Sequence, residues 1–202
     1  MRALDSGSIA ILKFSAMEQI ESVTLLHKLM LAFGREAYLH SVNSQPSPFL
    51  KVTKTEGYIG RSEFAIFQPA TVHLTKRGWT QPELTPLFEA LDVNAVSEGA
   101  TILIKGRTID FVAFVLRGAV THGAKRFVAG EVVGAANAVS GYPVVDDAVC
   151  ESSDAILGAL TMRKLEQLGA SHPALARKVL KMLGVLALGG EFDARGPSSS
   201  AT

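Results

Sequence analysis

Six consecutive apolar residues, Phe111-Val-Ala-Phe-Val-Leu116, constrain this sequence more than any other feature. The run is short, rich in β-branched and aromatic side chains, and apolar on both faces of an extended backbone. It therefore reads as an interior strand of a closed structure, with packed layers on each side. Its surroundings have the same character. Thr101–Ile104, Ala148–Cys150 and Ala155–Leu160 are similar short runs, divided by Gly and Asp turn signals at close intervals across residues 92–160. That is the pattern of an antiparallel sandwich or barrel. Thr121-His122-Gly123-Ala124 supplies a tight hairpin turn, with Gly123 free to take positive φ.

Helical periodicity replaces this pattern towards the C-terminus. Leu175, Val179, Leu183 and Leu186 share one face, while Arg177, Lys178 and Lys181 point elsewhere. Ser171 is the expected N-cap, Pro173 fits the first turn and Gly189-Gly190 supply the stop. A shorter helix before it is capped by Thr161 and expected to run through Leu168 to a stop at Gly169. Upstream, Gln81–Ala90 reads as a helix with Leu84, Leu87 and Phe88 on one face, and Tyr58–Gln68 as an extended segment. Helical spacing recurs from Ile9 to about Leu39, Gln45–Pro48 is a loop, and the small polar tail Gly196–Thr202 is expected to fray.

Charge excludes several function classes. Twenty Lys and Arg face nineteen Asp and Glu, a net charge of +1, which creates no field suited to nucleic acid. Neither half is polarised: residues 1–78 carry nine basic and six acidic groups, residues 79–202 eleven and thirteen. No uncharged stretch is longer than Val132–Val145, which is too short to span a bilayer and is punctuated by Gly134, Gly141 and Pro143, so no direct membrane insertion is expected. No signal peptide is expected either, because Ile9–Leu12 is preceded by Asp5 and followed by Lys13. A single cysteine, Cys150, within an apolar strand suggests a reducing compartment and an inert buried thiol. His27, His40, His73, His122 and His172 are dispersed, so no metal site is expected; nor is there a nucleophile elbow or a phosphate-binding Gly-Lys-Ser/Thr loop. Trp79, the lone Trp, reads as a packing anchor between the two halves.

The glycines that mark the turns form an ordered series. Gly99, the strand to Ile104, Gly106, the long strand 111–116 and Gly118 are followed by Gly130-Glu131-Val132-Val133-Gly134 and then Gly141-Tyr142-Pro143. Over about residues 80–188 this series resembles the cyclic nucleotide-binding domain family. The resemblance implies an α+β fold, an antiparallel jelly roll closed by C-terminal helices, with a phosphate-binding cassette near 130–145. On that pattern the ligand-facing positions are Gly130, Glu131, Val133, Gly134, Ala135, Ala136, Pro143, Val144 and Val145. In the family a Glu holds the ribose and an Arg the phosphate. Those positions are Ala135 and Val144 here, and Asp146 and Asp147 follow. Losing a buried charged pair of that kind costs roughly 2–5 kcal/mol, and at about 1.4 kcal/mol per tenfold binding weakens by at least an order of magnitude.

A second resemblance concerns context. Residues 130–134, Ser140–Pro143 and Lys164–Arg177 look like the version of this domain that follows a STAS domain at the cytosolic end of SulP-type anion permeases. Ala3–Leu12 is similar to the STAS turn in which Asp-Ser opens a helix, which makes Ser6 a phosphorylation candidate. Residues 15–70 do not follow the STAS strand order, and no STAS strands precede Met1, so this reading implies a chain that starts inside that domain.

Together these readings predict a helical or partial STAS-like region (1–78), a cyclic nucleotide-binding-like jelly roll (79–190) and a disordered tail (191–202). The expected function is non-enzymatic and regulatory, without a cofactor, and cytoplasmic or at the cytosolic face of a membrane. Its expected partner is a transporter membrane domain or another regulatory protein. The alternative is a cyclic nucleotide sensor with an atypical cassette, its missing charges replaced by groups such as Arg117 or Arg126.

Overall fold

A computed structural model describes residues 61–190 and residue 192. The readings of Ile9–Leu39, Gln45–Pro48, the STAS-like turn with Ser6, and the tail beyond Gly196 lie outside the described residues. In chain order the elements are α1 (Arg61–Lys76), α2 (Gln81–Glu89), β1 (Asp92–Val96), β2 (Thr101–Leu103), β3 (Phe111–Arg117), β4 (Ala119–His122), β5 (Lys125–Val128), β6 (Val132–Val133), α3 (Ala135–Ser140), β7 (Ala148–Cys150), β8 (Ala155–Thr161), α4 (Met162–Ser171) and α5 (Pro173–Ala187).

The strands form two four-stranded antiparallel sheets, ordered β1-β8-β3-β6 and β2-β7-β4-β5. With the flanking helices they make the jelly roll expected from the sequence. Strand β3 is interior, as its composition requires: β8 pairs along one side from Phe111↔Thr161 to Val115↔Leu157, and β6 pairs on the other. All six residues from Phe111 to Leu116 are buried. The hairpin joins β4 to β5 through Gly123-Ala124, with Gly123 at φ 59°. Gly118 shows why a turn glycine is needed: at φ 82°, a Cβ there would lie 2.9 Å from the Ala155 Cα, inside van der Waals contact with backbone. Cys150 is buried in β7, with its Sγ 3.3 Å from the Ser152 carbonyl and 3.9 Å from the Val96 carbonyl.

Three local expectations need correction. Tyr58–Gln68 was expected to be extended, but residues from Arg61 onward form α1, which packs against β3 through a face that includes buried Ala70 and Leu74. Pro69 removes one hydrogen bond from the α1 ladder without ending the helix. Helix α4 does not stop at Gly169; it continues to Ser171, while Thr161 caps it as expected, its Oγ1 accepting the Lys164 N–H at 3.2 Å. The N-cap of α5 is consequently His172 rather than Ser171, whose hydroxyl is directed back to the Leu168 carbonyl.

The C-terminal helices close the structure through apolar and ionic contacts. Leu175, Val179, Leu180 and Leu183 of α5 are buried against α3 and α4. Lys178 reaches from α5 to the Glu83 carboxylate of α2 at 2.6 Å, and Lys164 of α4 reaches Asp92 of β1 at 2.7 Å. Glu83 also accepts the Thr80 N–H at 2.8 Å, so the residue that caps α2 tethers α5 as well. Burial alone would raise the Glu83 pKa, but the hydrogen bonds from Lys178 and Thr80 outweigh it and hold the carboxyl below its usual range.

Candidate functional site

The turn between β5 and β6, the start of α3 and the end of α5 surround a cavity of about 350 Å³. Its walls come from four parts of the chain. Leu74, Arg77 and Trp79 arrive from the end of α1 and the segment after it, and His122, Lys125 and Phe127 from the β4–β5 hairpin. The cassette contributes Gly130 to Val132 and Gly134 to Asn137, while Met182, Leu186, Ala187 and Phe192 close the fourth side.

Local backbone geometry explains how the cassette reaches this wall. Gly134 occupies the N-cap of α3 at φ 84°, a left-handed conformation that turns the chain from β6 into the helix. At Gly130, with φ 90°, a Cβ would lie 2.5 Å from the His73 Cβ, so only glycine lets the turn settle on α1. Glu131 accepts the Val128 N–H at 2.8 Å across the same turn. Asn137 is the one buried polar side chain among the described residues, and its Nδ2 donates to the Pro143 carbonyl at 3.0 Å, tying α3 to the loop that follows.

The residues singled out from the sequence are only partly brought together. Gly130, Glu131, Gly134, Ala135 and Ala136 border the cavity. Val133 is buried within β6 and is not part of the wall. Pro143, Val144 and Val145 also stand apart from it. Val144 is buried in the core and its backbone exchanges 2.8 Å hydrogen bonds with Gly106 and Arg107, whereas Val145 is 70% exposed. Ala135 and Val144 therefore do not face one cleft. Nor do Arg117 and Arg126 supply replacement charges, since both are exposed and pair with Asp154 and Glu151 at 2.7 Å. Of the two acids after Val145, Asp147 accepts the Lys105 N–H at 2.6 Å and Asp146 lies 3.6 Å from the Lys105 ammonium.

Electrostatically the cavity wall combines two cations, Arg77 and Lys125, with the His122 imidazole and the Glu131 carboxylate. Arg77, His122 and Lys125 face the cavity, and none of the three forms an ion pair among the described residues. Lys125 lies 4.7 Å from the centroid of the Phe127 ring. Trp79 is 2% exposed, with Lys178 Nζ 4.7 Å from its centroid and Phe192 tilted beside it at 6.1 Å. Its indole N–H is buried, with no acceptor among the described residues. The anchoring role expected of Trp79 is thus played between α5 and the cavity. His73, behind Gly130, has its pKa lowered by burial and by Arg77, against the opposing effect of Glu131.

Neither a family model nor a curated protein matches the sequence. Solved structures do match it. A cyclic nucleotide-binding domain from Methylobacillus flagellatus superposes with a TM-score of 0.52 at 18% identity, over 66% of this chain and 82% of that one. The fold is that of a cyclic nucleotide-binding domain. Thermus thermophilus catabolite activator protein matches with a TM-score of 0.46 at 20% identity, over 55% of each chain. Among the described residues, no helix is long and apolar enough to cross a membrane, and no group of three or more His, Cys, Asp or Glu is placed to hold a metal.

Proposed function

We propose that the chain is a non-enzymatic regulatory module that keeps the cyclic nucleotide-binding fold but does not bind a cyclic nucleotide tightly. One observation carries the reading: the cassette presents Ala135 to the cavity, while Val144 packs into the core away from it. The cassette thus offers the cavity neither a ribose-binding carboxylate at the first position nor a phosphate-binding guanidinium at the second. In a responsive domain of this fold the C-terminal helix moves over the ligand. Here α5 already lies against α3 and is tethered by Lys178 to Glu83, which supports a helix held in the closed position. Resemblance of the cassette and the α4–α5 segment to permease-linked domains supports a partner in a transporter membrane domain or another regulatory protein, at the cytosolic face of a membrane.

The test is equilibrium binding of a fluorescent cyclic nucleotide, paired with thermal melting. No saturable signal, and no shift of several degrees with cAMP or cGMP at sub-millimolar concentration, is expected, because a ligand that binds only the native state must raise its midpoint. One observation favours the alternative of an atypical sensor, namely the cations Arg77 and Lys125 on the cavity wall beside the His122 imidazole. Tight nucleotide binding that Arg77→Gln abolishes would establish that alternative.

A further inference from the structure

The cavity has a chemistry of its own, whatever becomes of the nucleotide. Two cationic side chains, Arg77 and Lys125, and the His122 imidazole meet one acid, Glu131, whose carboxylate already accepts the Val128 N–H. Trp79 forms part of the same wall. Most of the rest of the wall is apolar, with Leu74, Phe127, Met182, Leu186 and Phe192 among its members. Of the cassette residues facing the cavity after Gly134, two are alanines, and the third, Asn137, uses its Nδ2 to donate to the Pro143 carbonyl. At about 350 Å³ the space falls at the small end of ligand-binding cavities.

We propose that this cavity binds a small amphipathic carboxylate, an organic acid with one anionic end and an apolar body. The anion is held by Arg77 and Lys125, and the body lies against Met182, Leu186 and Phe192. Because Met182 and Leu186 belong to α5, occupancy bears directly on the helix that closes the domain.

Trp79 is the only Trp in the chain, so its emission reports on the cavity without labelling. The experiment titrates the full chain with octanoate, 1-octanol and cAMP, following Trp79 emission and the thermal midpoint. Octanoate is expected to change the emission saturably and raise the midpoint, with 1-octanol at least about tenfold weaker. Arg77→Gln and Lys125→Gln should each weaken octanoate by about tenfold, Ala187→Phe should block it by filling the cavity, and the distant Arg126→Gln should leave it unchanged. Because Ala187→Phe can also disturb packing, its melting curve is recorded, and the two charge variants carry the decision if it unfolds. Equal binding of octanol and octanoate, or no saturable change with either, overturns the proposal. Silence of both octanoate and cAMP overturns it while leaving the regulatory reading intact, whereas saturable cAMP binding without octanoate binding overturns both.

Discussion

Sheet β1-β8-β3-β6 and sheet β2-β7-β4-β5 have the same number of strands but are stabilised differently. In the first, β3 is buried from Phe111 to Leu116, with α1 packed against it, and most of β8 is buried too. The second meets solvent along β5, where only Phe127 is half-buried, and it carries a polar cluster in which Glu151 accepts from Thr121 and Arg126. A strand covered on both sides depends on packing volume, whereas a strand with a wet face can give side chains to a site. The hairpin of the second sheet accordingly brings His122 and Lys125 to the cavity.

The largest effect that would break this contrast is a cavity in the first sheet. Phe114→Ala, at a side chain 1% exposed, should destabilise by about 3–5 kcal/mol in denaturant unfolding. Phe127→Ala in the second sheet should cost only about 1–2 kcal/mol, since a half-buried ring realises part of the burial energy. Equal losses at the two positions would show that the sheets share one stability source.

Next in size is Gly130→Ala, where positive φ and the encroaching His73 act together. A loss of about 1–3 kcal/mol is expected, and the companion His73→Gly should relieve the steric part if the close approach is its source. Lys178→Met, at a partly buried pair, should cost about 1 kcal/mol and alter the acid limb of the stability profile. The Glu83 pKa is lowered in the folded state, so its contribution is full above the unfolded value near 4.5 and is lost as pH falls through the lower folded value. Melts between pH 6 and pH 3 should therefore be less steep for Lys178→Met than for the native chain. Smallest is Arg126→Gln, whose exposed pair with Glu151 should leave the melting midpoint unchanged within error; a clear drop would mean that the wet sheet relies on its polar cluster.

What the sequence reveals follows the same division. Strands β3, β7 and β8 are readable because burial on the inner side leaves unbroken apolar runs, and the β4–β5 hairpin because Gly123 marks its turn. Helix α1 was misread since Tyr58, Ile59, Phe64 and Ile66 favour strands locally, and only the contact with β3, distant in sequence, makes the segment helical. At the site, Gly130, Glu131 and Gly134–Ala136 are adjacent in the chain and announced by their glycines. Arg77 and Trp79 come from the segment after α1, Lys125 from β5 and Met182 from α5, and no short-range pattern links these three parts of the chain. Val144 shows the converse error: proximity to Pro143 in the chain does not place it on the wall.

Cys150 gives the architecture a built-in clock. Its sulfur sits in β7 of one sheet while touching the carbonyl of Val96, the last residue of β1 in the other. A thiol reagent can reach it only when that seam parts, so alkylation in native buffer should be slow. If reclosing outruns modification, the rate scales with reagent concentration and measures the free energy of opening; if it does not, the rate saturates at the opening step itself. One unmodified side chain thereby separates how often the sheets come apart from how long they stay so.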